Sequence, residues 1–163
     1  FNEHFVDAYR RQDFDAAFQW AKKSLDYAYD EFGSHDVHTA TSLNNAAVLL
    51  RTLDYLDDAE VLVRKALSIN IEVRGMEHPE TGNCLNNLAI IHSDRGHFEE
   101  AEKLYKWAIE IREAALGKRH PDLLVNISNM SRMYEAAGRP DESEAFRRQS
   151  ETLQELVYCN TAV

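Results

Sequence analysis

A chain of 163 residues can hold one ordinary core or three to four stacked helical units. Its 28 acidic side chains outnumber 18 lysines and arginines, giving a formal net charge of −10, a surface that repels phosphate backbones and anionic lipid. We therefore expect no nucleic-acid and no membrane partner, and no apolar stretch approaches the length that spans a bilayer.

The chain begins with Phe1 rather than Met, so we expect a domain excised from a longer protein. The first segment, about residues 1–33, lacks the start of its opening helix. Its second helix is aromatic, with Trp20, Tyr27, Tyr29 and Phe32, and Gly33 stops it. Asp36 then offers an N-cap to the next helix. The second segment, about 34–75, carries Leu43-Asn44-Asn45-Ala46-Ala47 in its first helix, turns near Asp54 and places Ala59 in its second.

The third segment, about 76–117, is the best formed. Pro79 is expected to open a helix, where its missing N–H costs nothing. Leu85, Leu88, Ala89 and Ile91 recur at helical spacing, and Gly96 ends that helix. The second helix starts near Glu99 and Glu100, whose carboxylates suit a helix N-terminus, and runs through Ala101, Leu104, Tyr105, Ala108 and Arg112. Gly117 is expected to close it in the left-handed conformation. Pro121 should open the last segment, about 118–158, in which Ser131 and Ser143 replace alanines and Arg147 replaces an aromatic residue. Its polar second helix suits a terminal cap.

One register unites these segments. Gly33, Gly75 and Gly117 stand 42 residues apart, as do Ala17, Ala59 and Ala101. Leu43-Asn44-Asn45 recurs as Leu85-Asn86-Asn87 and, degraded, as Ile127-Ser128-Asn129. Such a period marks repeats that bury their apolar faces by stacking on neighbours. We expect an all-α, right-handed solenoid of antiparallel helix pairs, forming a single repeat domain over 1–163. The recurrent alanines let helix axes approach closely, and enlarging Ala101 should cost about 1–3 kcal/mol.

The pattern Gly96-x-Phe98-x-x-Ala101 with Tyr105-x-x-Ala108 resembles the tetratricopeptide repeat, lengthened from its usual period of about 34 residues. Gly75-Met76-Glu77-His78-Pro79, Gly117-Lys118-Arg119-His120-Pro121 and the Leu-Asn-Asn-Leu-Ala run are similar to the repeats of kinesin light chains. That resemblance implies a tetratricopeptide-like superhelix with a concave groove that takes short acidic and aromatic peptides.

Little in the chain suggests chemistry. His78 and His120 belong to the repeat turn, where a ring nitrogen can cap the following helix. His35 and His38 have no completing ligands, and His92 sits at a packed helix position. Cys84 aligns with Ser42 and Asn126 and reads as a small packing residue; with Cys159 it suggests reduced thiols in a cytoplasmic chain. Neither catalytic motif nor phosphate loop is present, so we expect no enzyme, cofactor or metal.

The asparagines carry more information. Asn45, Asn87 and Asn129 share one register position, with Asn44 and Asn86 beside the first two, and asparagine is a weak helix former that mid-helix calls for a partner. Two readings stay open: the amides bind a peptide backbone in the groove, or they bridge adjacent first helices. On the same predicted face lie Val48, Arg51, Asn83, Ile90 and Arg132, with Tyr9, Arg10, Thr41 and Asp94. The expected function is a scaffold that binds a peptide or protein segment, an acidic one by the arginines and the resemblance. The alternative is a self-assembly module forming homo-oligomers through its terminal units.

Overall fold

The structure, a computed structural model, describes residues 2–158, which form eight α-helices and no strand. They group into two compact units, Phe1–Gly75 and Met76–Val163. In the first, α1 (Asn2–Arg10) packs on α2 (Phe14–Phe32) and α3 (Val37–Thr52) on α4 (Leu56–Arg74), with α3 also against α2. In the second, α5 (Pro79–Asp94) packs on α6 (Phe98–Leu116) and α7 (Leu123–Ala136) on α8 (Pro140–Tyr158), with α7 also against α6.

Every expected break is occupied. Within each pair the chain turns through a residue of positive φ: Gln12, Asp54, Gly96 and Gly138. The following amide then bonds back five residues, as Tyr55 N–H does to the Leu50 carbonyl and His97 N–H to the His92 carbonyl, both at 2.9 Å. That bond ties up a carbonyl the helix end would otherwise leave open. Between pairs the break differs from the expected left-handed cap. Gly33, Gly75 and Gly117 have φ of 83, 92 and 89° but ψ of −178, 166 and 153°. This is the extended, positive-φ region that only glycine adopts at low cost, and it accounts for the invariance of the three glycines along the chain.

The helix starts follow the repeat turn. Asp36 Oδ1 accepts from His38 N–H at 2.8 Å, and His78 Nδ1 accepts from Glu80 N–H at 3.2 Å. His120 Nδ1 likewise accepts from Asp122 N–H at 3.2 Å, so both histidines are turn residues. Pro79 opens α5 as expected, but Pro121 does not open α7, which begins at Leu123. The register explains the correction. Gly82 lets α5 approach α6 so closely that an added Cβ would lie 3.2 Å from the Ala108 carbonyl, whereas the equivalent residue in α7 is Leu124. In α5 the Gly82 N–H reaches the His78 carbonyl four residues back at 3.3 Å, whereas the Leu124 N–H bonds the Pro121 carbonyl three residues back at 3.0 Å, a first turn tighter than an α-helix.

Small residues sit where helices touch. Ala17, Ala59 and Ala101 are fully buried, and so are Ala47 and Ala89. In the last pair the two serines that replace alanines face each other: Ser131 Oγ donates to the Ser143 carbonyl at 2.9 Å and lies 3.1 Å from its hydroxyl. The exchange is matched across the interface, so no polar group is stranded. Arg147 is exposed and pairs with Glu144 at 3.0 Å, as a polar capping helix requires. Cys84 is buried in α5, and Cys159 lies outside the described residues.

Candidate binding surface and its polar interior

In the second unit one helix, α6, delivers a guanidinium into the interior. Arg112 is 7% exposed, and its stem runs against Gly82, whose missing Cβ would lie 3.0 Å from Arg112 Cγ. The guanidinium donates to Asn126 Oδ1 at 2.8 Å and to Asp122 Oδ2 at 3.1 Å, while Nε finds no partner. Asn126, wholly buried, passes the chain on: its Nδ2 donates to Asn86 Oδ1 at 3.1 Å. Asn129 Nδ2 donates to the same oxygen at 3.2 Å, and Arg132 donates to Asn129 Oδ1. The result is one connected line from Asp122 through Arg112, Asn126, Asn86 and Asn129 to Arg132. Buried amides so joined fix the register of α5, α6 and α7.

This placement divides the residues singled out in the sequence. Asn86 and Asn129 are buried and bonded to each other, so their amides bridge first helices. The bond joins Asn129 to Asn86 rather than to its register mate Asn87. Asn83, Asn87 and Ile90 are half-buried, and Arg132 is exposed. In the first unit Asn44, Asn45, Val48 and Arg51 are all half-buried on α3. Sequence reasoning passed over Arg112, Asn126 and Gly82, which differ from one repeat to the next; a charged residue at a helix position that is Ala28 in one copy and Asn70 in another was the available signal.

The outer edge of the second unit holds a second polar cluster. Glu102 Oε2 accepts from Arg139 at 2.9 Å and Oε1 from Lys106 at 2.6 Å, and Arg139 lies over the Tyr134 ring at 4.6 Å. The Lys106 hydrogen bond holds the Glu102 carboxyl below its ordinary range. Burial, reinforced by the neighbouring Glu102 carboxylate, pushes the Tyr134 hydroxyl up to about 12. In the first unit His38 bonds Asp36 at 2.8 Å and stacks on Phe32 at 4.4 Å between ring centres. Among the described residues no group of three or more His, Cys, Asp or Glu could hold a metal, and no helix is long and apolar enough to cross a membrane.

Helix pairs in a 42-residue register can be compared with known proteins. Residues 46–114 match the tetratricopeptide repeat family. Among solved structures, BtubC (BKLC) of P. vanneervenii aligns with a TM-score of 0.77 at 20% identity, over 91% of this chain and 59% of its own. The nearly identical TPR-like repeats of a kinesin light chain-type protein of P. anserina align with a TM-score of 0.75 at 19% identity, over 93% and 72%. The fold is thus that of tetratricopeptide-like repeats of the kinesin light chain kind, with the family match confined to residues 46–114. The chain spans 59% of the length of BtubC, and no curated protein matches it. Tetratricopeptide repeats as a class mediate protein–protein interaction.

Proposed function

We propose that this chain is a cytoplasmic, non-enzymatic scaffold, a single repeat domain whose first helices bind a peptide or protein segment in a concave groove. The observation that carries this reading is the division of labour among the asparagines. Asn86 and Asn129 are buried in the line of hydrogen bonds between helices, while Asn83, Asn87 and Ile90 keep part of their surface and Arg132 is exposed. An amide that offers both donor and acceptor suits the edge of an extended peptide. Arg51 and Arg132 add positive charge to an otherwise acidic chain, which favours an acidic ligand. Asn44, Asn45 and Val48 would serve the same role in the first unit.

Titration of a fluorescent acidic peptide separates binding from stability. Asn87→Ala should weaken binding by about 0.5–1.5 kcal/mol, whereas Asn86→Ala should lower the melting temperature by more than Asn87→Ala does. Charge reversal at Arg51 and Arg132 should abolish the preference for an acidic peptide over a neutral one. Indifference of binding to all of these substitutions would discard the groove. The second reading, self-association, is favoured by the exposed Tyr27, Tyr29 and Phe32 of α2. Light scattering that shows a monomer across a concentration series would remove it.

A further inference from the structure

Repeats in one register allow the same place to be compared in different copies. Where α2 ends at the turn into α3, Tyr29, Ser34, His35, Lys65 and Ser68 rim a recess of about 260 Å³ whose floor is Leu43 and Ile69. The floor recurs along the chain as Leu85 with Ile111 and as Ile127 with Leu153, all of them buried packing residues. The rim does not recur. Glu77 stands at the register of His35, Glu110 at that of Ser68 and Glu113 at that of Tyr29. Three positions that carry carboxylates in the third repeat therefore carry hydrogen-bond donors here, and Lys65 stands where that repeat has Trp107.

These donors are also unspent. Among the described residues Lys65 forms no ion pair, whereas its neighbour Arg64 is taken by Glu60 at 2.6 Å. The Tyr29 and Ser68 hydroxyls have no partner among the described residues, while Thr41 and Thr52 of the same unit donate to their own helix at 3.0 and 2.9 Å. Ser34 Oγ lies 2.8 Å from His35 Nδ1 and holds the ring at the rim. With Ser34 as donor, the ring proton sits on Nε2, which is then a donor too. Asp36, the next residue in the chain, is occupied by His38, whose N–H and ring nitrogen each lie 2.8 Å from Oδ1.

We propose that this recess binds the phosphoryl group of a phosphate monoester. Lys65 supplies the positive charge, and Tyr29, His35 and Ser68 supply hydrogen bonds from three separate segments of the chain. That arrangement suits a group with three terminal oxygens and a charge of about −1.5 to −2 better than a planar carboxylate with two oxygens. Pockets that enclose a whole drug-sized molecule measure about 300–1,000 Å³, so the recess takes a single group. The net charge of −10 does not forbid it. At physiological salt, exposed charges farther than about 8 Å are largely screened, and short charge-assisted hydrogen bonds set the local balance. The recess shares no residue with the proposed groove, so it stands or falls independently of that reading.

The test titrates inorganic phosphate, phenyl phosphate and acetate into the isotope-labelled chain at matched ionic strength, with NMR shifts of the Ser34, His35 and Ser68 amides as readout. The phosphates should shift these amides saturably and bind several-fold more tightly than acetate. Phenyl phosphate binding more tightly than inorganic phosphate assigns the site to a phosphorylated side chain; otherwise it is a site for the free ion. Ser68→Glu, which restores the acid of the third repeat, should abolish the shifts, and Lys65→Gln should weaken binding several-fold. Both residues are exposed on α4, and circular dichroism checks that the helices remain; if Ser68→Glu loses them, Lys65→Gln decides. Shifts that stay linear in concentration, equal binding of phosphate and acetate, or binding that is unchanged in the folded variants would each overturn the proposal.

Discussion

The two units are built on one register yet solve their interiors differently. In the first, buried polar groups are short and local: Ser24 and Ser42 share a 2.8 Å hydrogen bond, and Thr39 donates to the carbonyls of Gly33 and Ala28 at 2.7 and 3.2 Å. In the second, the positions of Ala28 and Ser42 hold Arg112 and Asn126, and a line of long polar side chains crosses three helices. The apolar parts differ in the opposite sense. The second unit is filled by Tyr105 and Met130, while the first has Ala21 and Ala46 at those positions and an apolar cavity of about 200 Å³ beside them. A repeat register thus dictates where helices run, but each interface fills its space with whatever its own residues allow.

The largest effect should come from making the second unit resemble the first. Tyr105→Ala removes a fully buried ring and should cost about 3–5 kcal/mol in chemical denaturation, since the surrounding helices collapse only in part. Replacing the line of amides comes next. Asn126→Ala removes the buried partner of one Arg112 guanidinium nitrogen, leaving only Asp122, and should cost about 1–3 kcal/mol, against roughly 1 kcal/mol for Ser42→Ala in the first unit. Equal costs for the two would erase the contrast between the interiors.

Filling the first unit is the converse change. Ala46→Met should raise stability by about 0.5–2 kcal/mol, read as a higher denaturation midpoint. A loss would show that α2 and α3 have already closed over the space.

The smallest effects concern pH, beginning with the second unit. The lowered Glu102 carboxyl contributes stability above its ordinary value of 4.5, and the contribution is lost as pH falls through the depressed value. Tyr134, raised from 10.0 to about 12, contributes fully below pH 10 and loses that contribution as pH rises through its folded value. Glu102→Gln should reduce the acid-side dependence, to which the lowered Glu142 carboxyl also contributes, and blunt the alkaline one. In the first unit the lowered carboxyl is Asp36, held down by the His38 backbone N–H at the start of α3, a difference in place that amide hydrogen exchange at several pH values would resolve.

The sequence by itself determined an all-helical chain of about seven to eight helices, their pairing, and the breaks near Gly33, Asp54, Gly75, Gly96, Gly117 and Gly138. These depend on period, on glycine at positive φ and on caps made by side chains next to the helix they cap, all of which are local. It also identified Asn45, Asn87 and Asn129 as residues needing a reason to be in a helix. Only the tertiary structure decided which amides turn inward. Asn87 and Asn129 share a register position, yet Asn129 is buried against Asn86 and Asn87 is not, because burial depends on the helix packed alongside. The late start of α7 was decided in the same way, for Leu124 N–H bonds three residues back to Pro121 where its register mate Gly82 reaches four residues back to His78. The cavity walled by Phe18, Ala21 and Ala46 needed three residues from two helices to be small or misplaced together. No single repeat carries that information, since a vacancy is defined by the side chains that fail to reach it from both sides.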